Sequence, residues 1–248
     1  MLELAELIQV EFFKLRRKKL IILMLPAALI MPFFALLYFH YFGKTGVEPM
    51  MFYKWSAFGF TMFILLPFIL GMLSAMLMHD ENQYEMQKQL WIVPVSRMGY
   101  VLSKFAVILS YSVCFMLLTA AAAILFGMLS GYVKFAWADV LFLFERCMEI
   151  SVLTALAILP VFAAAVSQKG YLFPVSLTLL YIFAGFLITP LQSCLHPLFA
   201  VSVIVSRGGV IPGVAPASVT DIFSALICIF VWTAGALIFA NIRLSQRK

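Results

Sequence analysis

Long apolar runs separated by short polar connections dominate the chain, and this pattern predicts its secondary structure. Crossing a hydrocarbon core of about 30 Å takes about 20 mostly apolar residues in a helix. A segment in lipid must satisfy its own backbone hydrogen bonds, so each run of that length is predicted to be α-helical. The six runs that qualify lie near residues 20–42, 57–78, 105–129, 148–166, 171–191 and 222–241. The predicted fold is therefore an all-α integral membrane protein, with a single transmembrane domain of six helices over residues 1–248.

Prolines lie inside several of these runs, among them Pro26, Pro32, Pro67 and Pro160. Proline removes a backbone N–H group and ends most helices in water, whereas membrane helices tolerate it with a kink. We therefore expect kinked helices at these four positions.

Composition agrees with a membrane environment. Hydrophobic residues make up 65% of the 248 residues and charged residues 11%, against roughly 45–50% and about 25% in soluble domains. A water-soluble chain of this length has too much surface to cover with so few polar residues. The composition thus predicts a multi-pass membrane protein, and the family resemblance described below implies that the membrane is the bacterial plasma membrane.

The positive charges predict how the helices are oriented. Six spans place both termini on one side of the membrane, and Lys and Arg favour the cytoplasmic side. With the termini inside, the cytoplasmic side receives twelve of the 17 Lys and Arg residues: Lys14, Arg16, Arg17, Lys18, Lys19, Lys88, Arg97, Lys104, Lys169, Arg243, Arg247 and Lys248. The outer side receives Lys44, Lys54, Lys134, Arg146 and Arg207. The predicted topology is N-in, C-in, and it accounts for the net charge of +6 without a nucleic-acid partner.

The first 19 residues predict an amphipathic helix that precedes the first span. Leu4, Leu7, Ile8 and Leu15 recur at helical spacing, although Glu11 falls on the same face. The basic run KLRRKK follows, and it would be attracted to anionic headgroups of the membrane lipid. Two interpretations stay open: the segment is only a positively charged anchor, or it is an interfacial helix that also contacts a partner.

Residues 79–104 form the longest polar stretch, between the second and third spans. Its charged residues are Asp80, Glu81, Glu85, Lys88, Arg97 and Lys104. The first part is predicted to continue the second span as a helix, until Pro94 forces the preceding residue out of the helical region. Ser96 is then a suitable N-cap for a helix that runs into the third span. The segment is thus predicted to be a rigid cytoplasmic elbow that transmits force between two spans.

The outer segment 191–221 precedes the last span. Its first part is apolar enough for a short interfacial or re-entrant helix near 197–206, and RGGVIPGVAP after it is typical of a loop. Ser218 or Thr220 is placed to cap the last helix.

Two acids, Glu145 and Glu149, lie four residues apart where the fourth run begins, with Arg146 between them. Residues at this spacing share a helix face. One interpretation places them in a cavity on a substrate path, where they attract a cation or assist a moving helix. The other places them at headgroup level, where acids near a helix N-terminus are favourable.

Motifs for catalysis and metal binding are missing from the sequence. GKTG at 43–46 lacks the first glycine of a P-loop, which the spacing would place at Tyr38, and it follows a membrane helix on the predicted outer side. The four cysteines have no C-x-x-C pair, and no H-E-x-x-H or G-x-S-x-G sequence occurs. We expect no metal site, no catalytic residue and no nucleotide site on this chain.

The whole pattern resembles the ABC-2 type permeases, and most of all the small permease subunits of lantibiotic-immunity and bacitracin-resistance exporters. EFFKLRRKK before the first span carries the resemblance, together with the segment between spans two and three. The matching residues are Glu11, Lys14, Arg16, Lys18, Glu85, Lys88, Leu90, Pro94, Val95, Ser96, Arg97, Ser103 and Lys104.

The resemblance implies a transport subunit without catalysis of its own. A dimer of a cytoplasmic P-loop ATPase would hold ATP and Mg, and a second permease, identical or a sister subunit, would complete the complex. Contact with the ATPase would come from Asp80, Glu81, Glu85, Lys88, Pro94, Ser96 and Arg97, and from Glu11, Lys14, Arg16 and Arg17 in the N-terminal segment. The implied cargo is an amphipathic antimicrobial peptide, expelled for immunity or resistance. The alternative is a secondary transporter driven by an ion gradient, with Glu145 and Glu149 as proton carriers.

Overall fold

The computed structural model describes residues 4–16, 18–42, 48–83, 96–129, 131, 133, 136–168, 170–188, 195–207 and 218–246. All regular elements within these ranges are helical, which confirms the predicted all-α class. The α-helices are α1 (Leu4–Arg16), α2 (Lys19–Leu23), α3 (Ile30–Tyr41), α4 (Pro49–Tyr53), α5 (Leu66–Gln83), α6 (Arg97–Leu129), α7 (Trp137–Ala157), α8 (Leu159–Ser167), α9 (Leu172–Ile188), α10 (Pro197–Val205) and α11 (Val219–Gln246). A 3₁₀ segment covers Leu25–Leu29, and two π segments cover Lys54–Phe58 and Thr61–Leu65.

Five helical stretches in the described residues are long and apolar enough to cross a membrane. They are Lys19–Tyr41, Pro49–His79, Arg97–Leu129, Trp137–Ser167 and Val219–Gln246. They correspond to five of the six predicted spans. The remaining span, predicted at 171–191, corresponds to α9, which is apolar but has only 17 residues over Leu172–Ile188.

The spans extend further than the apolar runs that predicted them. The second begins at Pro49, before the predicted residue 57, the third at Arg97 and the fourth at Trp137. Hydropathy marks only the apolar part of a helix, whereas the backbone hydrogen bonds continue through its polar turns. The third span, α6, is one helix of 33 residues, about 50 Å long, and its first turns belong to the predicted elbow.

The four prolines lie at changes in helical segment. Pro26 is in the 3₁₀ segment between α2 and α3, and Pro160 follows the break between α7 and α8 at Ile158. Pro67 and Pro32 lie in the first turns of α5 and α3. The first turn of a helix leaves its N–H groups without intrahelical acceptors, so proline costs little there. Each proline thus lies at or near a boundary between helical segments, and kinks at these positions stay a prediction.

Helix α6 lies at the centre of the bundle and packs against α7, α1, α3 and α5. Small residues such as Ala120 and Ala123 are fully buried at its contacts, as expected of membrane helices that approach closely. Ser112 of α6 donates a hydrogen bond of 2.8 Å to the carbonyl oxygen of Ser151 on α7. The two helices are therefore joined by packing and by a buried polar link.

A close approach between α5 and α9 depends on Gly71. A Cβ atom at this position would overlap Cγ2 and Oγ1 of Thr178, whose hydroxyl donates to the carbonyl oxygen of Pro174 at 2.8 Å. Gly71→Ala is expected to lower the free energy of unfolding by about 1–3 kcal/mol, because a buried β-branched side chain must shift. Thermal unfolding in detergent measures the loss.

Two variants provide controls for Gly71→Ala. Gly235→Ala on α11 adds the same methyl group where no atom lies within 4 Å, and should leave the melting temperature unchanged. Combining Gly71→Ala with Thr178→Ala should recover most of the stability. An unchanged melting temperature for Gly71→Ala alone would contradict the close contact between α5 and α9.

Candidate functional site

A buried ion pair joins the N-terminal helix to the third span. Nζ of Lys104 on α6 lies 3.1 Å from Oε2 of Glu11 on α1, and Nζ of Lys14 lies 2.8 Å from Oε1 of the same carboxylate. The Lys104 side chain is 0% exposed and the Glu11 side chain 7%. A buried lysine is costly unless a carboxylate compensates it. Where α1 packs against α6, its inward-facing acid Glu11 therefore meets the buried ammonium group of Lys104.

Aromatic packing completes the environment of Lys104. Its Nζ lies 5.0 Å from the centroid of the Tyr100 ring, one helical turn earlier on α6. The negative face of an aromatic ring attracts a cation at this distance. Lys104 thus has a carboxylate from α1 and a ring from its own helix.

The start of α6 is built around Ser96. The Ser96 Oγ accepts a hydrogen bond of 3.1 Å from the backbone N–H of Gly99, which confirms the predicted N-cap. A Cβ at Gly99 would lie 2.7 Å from that oxygen and 3.5 Å from Cδ1 of Leu7 on α1. Glycine therefore leaves room for both the cap and the approach of α1.

Helix α6 also holds the irregular part of the first span. Tyr111 donates a hydrogen bond of 3.1 Å to the carbonyl oxygen of Ile21, and Thr119 donates one of 3.3 Å to that of Ala28. Both carbonyls lie where α2 gives way to the 3₁₀ segment. A helix interruption in lipid must be compensated by neighbouring side chains, and α6 supplies them.

The predicted contact residues are only partly assembled at this junction. Glu11 and Lys14 lie on it, and Ser96 and Arg97 begin α6 directly below Lys104. Arg16 ends α1, and Asp80 and Glu81 lie in the last turns of α5, which continues the second span to Gln83 as predicted. Glu85, Lys88, Pro94 and Arg17 lie outside the described residues.

A second charged cluster lies inside the fourth span. Arg146 Nη1 is 2.6 Å from Oε2 of Glu149, and Arg207 Nη1 donates to Oε1 of the same carboxylate. Glu145 is exposed. Glu149 lies twelve residues after Trp137, or about 18 Å along α7. Helix α7 begins eleven residues before the predicted boundary at 148, so Glu145 and Glu149 do not lie in the first turn of the helix.

Helix α10, from the segment predicted to lie on the outer side, is packed into the bundle. Its residues Leu198, Phe199, Val201, Ile204 and Val205 are buried. The short helix predicted near 197–206 is thus confirmed, and its burial is typical of a re-entrant position.

His196 begins α10 and fixes it to α9. Its Nδ1 accepts a hydrogen bond of 3.3 Å from the N–H of Leu198, and its ring lies 4.4 Å from the Tyr181 ring. A Cβ at Gly185 would come within 3.0 Å of the imidazole. Burial lowers the pKa of His196 to about 4, so the ring is neutral at physiological pH and remains a hydrogen-bond acceptor.

An aromatic cavity of about 580 Å³ lies between the first span and the start of the second. It is lined by Phe34, Tyr38, Tyr41, Phe42, Trp55 and Phe60, among others. The Tyr38 and Trp55 rings are stacked, with centroids 4.9 Å apart. The lining residues that the structure describes carry no charge, so the cavity suits an apolar group.

The described part of the chain has no arrangement of side chains suited to metal binding or thiol chemistry. No group of three or more His, Cys, Asp or Glu side chains there could hold a metal ion. Cys114 and Cys147 are free thiols.

Sequence reasoning singled out Glu11 and Lys104 but did not pair them, and it missed Arg207 as the partner of Glu149. The signal for the first pair was an acid on the apolar face of an amphipathic helix. The two arginines and the acid were visible as charges in apolar surroundings, with no indication of which would meet.

A family model described as ABC-2 family transporter protein matches residues 7–185. This range includes the junction of α1 with α6 and ends within α9. No curated protein matches the chain.

Proposed function

The chain belongs to the ABC-2 family of transporter proteins, and on that premise we propose that it is the permease subunit of an ATP-driven exporter of amphipathic antimicrobial peptides. The family and the apolar helices make it a multi-pass protein of the cell membrane. As a permease it is the membrane component of a transporter. The proposed cargo is a peptide of lantibiotic or bacitracin type, whose expulsion gives immunity or resistance.

The buried pair between Glu11 and Lys104 is the observation that carries this proposal. It joins α1 to the first turns of α6, the helix that begins within the predicted coupling segment 79–104. A displacement applied at the start of α6 would therefore move α1 and the central span together. Such a rigid connection is what a subunit driven from outside the membrane requires.

The proposed partners follow from the absence of a nucleotide motif in the sequence. A dimeric cytoplasmic ATPase would hold ATP and Mg and dock on residues 80–97, with α1 as a second contact. A second permease, identical or a sister subunit, would lie beside this one in the lipid bilayer.

The aromatic cavity supports an apolar or amphipathic cargo. Its volume of about 580 Å³ is within the usual range of ligand sites, roughly 300–1,000 Å³. By the predicted topology it lies toward the outer side, since Tyr41 ends the first span. Stacked aromatic rings there would receive apolar side chains of a peptide that leaves the membrane.

Purification of the tagged protein in mild detergent, with mass spectrometry of the retained proteins, tests the proposal. We expect a P-loop ATPase in stoichiometric amount, and either a second six-span protein or none beyond this chain. A stable protein that is recovered alone would contradict the proposal.

A secondary transporter is the second candidate, and the position of Glu149 favours it. This acid lies about 18 Å from the start of a helix that is long and apolar enough to span a membrane, and acids within spanning helices are typical of proton carriers. The energy source separates the two candidates. Transport that stops on ATP depletion supports the exporter, whereas transport that persists without ATP and collapses with an uncoupler supports the secondary transporter.

A further inference from the structure

The outer helix α10 is attached to two neighbouring helices by polar contacts and packs closely against a third. At its start, His196 packs into the space beside Gly185 of α9, and Trp232 of α11 donates a hydrogen bond of 3.0 Å to the carbonyl oxygen of Leu195. Just after its end, Arg207 donates to Glu149 of α7. The two contacts at the start involve neutral groups, and only the contact at the end is between charges.

Polar contacts matter more for α10 than its burial suggests. Apolar side chains gain little from leaving lipid for a protein contact, because both surroundings are equally apolar. The buried face of α10 therefore gives shape complementarity without a strong hydrophobic driving force. The ion pair at its end must contribute a large share of what holds it in place.

Glu149 is the shared partner of two cations. Arg146 donates to one of its carboxylate oxygens and Arg207 to the other. The Arg146 side chain is 9% exposed, its guanidinium lies 5.1 Å from the Phe142 ring, and its Nε has no acceptor among the described residues. Loss of the Glu149 charge would leave two guanidinium groups close together in apolar surroundings, one of them buried.

We propose that Glu149 is a latch that holds α10 on α7 through Arg207, and that α10 separates from the bundle as a unit when this ion pair opens. Arg207 is suited to moving because its side chain is 38% exposed, whereas Arg146 is buried and stays with α7. Repulsion between the two guanidinium groups would then favour the separated state. The latch concerns how the outer segment is held, and it requires neither the proposed cargo nor the ATPase.

Hydrogen exchange of the full chain in lipid nanodiscs, followed by mass spectrometry, tests the latch. We expect Glu149→Gln to speed exchange of the amides in 197–207 by about tenfold or more, as loss of a buried ion-pair partner promotes local opening. Amides in α6 and α11 should keep their rates. Asp139→Asn is the matched control, because it removes an acid from the first turn of the same helix, about 15 Å along α7 from Glu149, and should leave exchange in 197–207 unchanged.

A second variant keeps the test decisive if Glu149→Gln folds poorly. Arg207→Gln removes the moving cation without leaving two guanidinium groups together, and should speed exchange in 197–207 by a smaller factor. Arg207 also donates to the carbonyl oxygen of Ile204 at 3.2 Å, so fast exchange confined to the last turn of α10 would reflect only that lost bond and would overturn the proposal. Rates in 197–207 equal to those of Asp139→Asn would also overturn it.

Discussion

Arg97→Glu is expected to abolish ATP-driven transport while the protein still inserts at normal levels. Arg97 is the first residue of α6 and belongs to the predicted contact with the ATPase. Reversing a charge at a close ionic contact costs about 2–5 kcal/mol of binding free energy, which is enough to separate the subunits. The Ser96 cap remains, and an acid in the first helical turn is favourable to the helix dipole. Loss of transport would therefore report on the partner and not on the fold of α6.

The measurement compares cargo export, permease-stimulated ATP hydrolysis and the amount of protein in the membrane fraction. Glu85→Arg, outside the described residues, is expected to behave in the same way. Arg243→Glu serves as the control, because it makes the same change of charge on the predicted cytoplasmic side, in the last turn of α11. Full transport by both Arg97→Glu and Glu85→Arg would show that residues 79–104 do not couple the permease to an ATPase.

Glu11→Ala is the second variant with a large expected effect, and it should release α1 from α6. The change leaves Lys104 fully buried without the carboxylate 3.1 Å away. Removing one partner of a buried ion pair costs about 3–5 kcal/mol, so we expect a large fall in melting temperature in detergent. Glu6→Ala, in the exposed first turn of α1, should cost a small fraction of that.

A double variant separates the charge of the pair from its packing. Replacing a buried ion pair by apolar residues of similar volume is often neutral or stabilising, so Glu11→Met with Lys104→Met should recover most of the lost stability. A cost for Glu11→Ala no greater than that for Glu6→Ala would contradict the role of the pair in docking α1.

Local chemistry made much of the fold predictable. The caps are an example: Ser218 Oγ accepts from the N–H of Asp221 at 3.2 Å, and the Asp221 carboxylate accepts from the N–H of Ser218 at 3.0 Å. This capping box begins α11, as the sequence predicted for Ser218. Caps, prolines and apolar runs are predictable because each depends on residues within a few positions of one another.

Contacts between distant residues were not predictable in the same way. Glu11 and Lys104 are 93 residues apart, and Glu149 and Arg207 are 58 apart. Each acid had several basic residues as possible partners, and only the packing of the helices selects among them.

The start of the fourth span was misplaced for a related reason. Charges at 145 and 146 ended the apolar run, so the predicted span began at 148. The helix nevertheless extends back to Trp137. Within it Glu149 is paired with Arg146 and Arg207, and a paired charge is far less costly in apolar surroundings. A hydropathy pattern contains the charges but not their pairing.

The two π segments of the second span bear on how relatives of this protein should be aligned. A π turn closes its hydrogen bonds one residue later than an α turn, so each segment holds one residue more than a regular helix needs. Thr61 Oγ1 donates to the carbonyl oxygen of Ser56 at 2.9 Å across the junction of the two segments. Deleting one residue from 61–65 would restore α-helical bonding and rotate Trp55 by about 100° relative to α5. A homologue whose aligned sequence has a single-residue gap inside this span would therefore have different side chains lining its aromatic cavity.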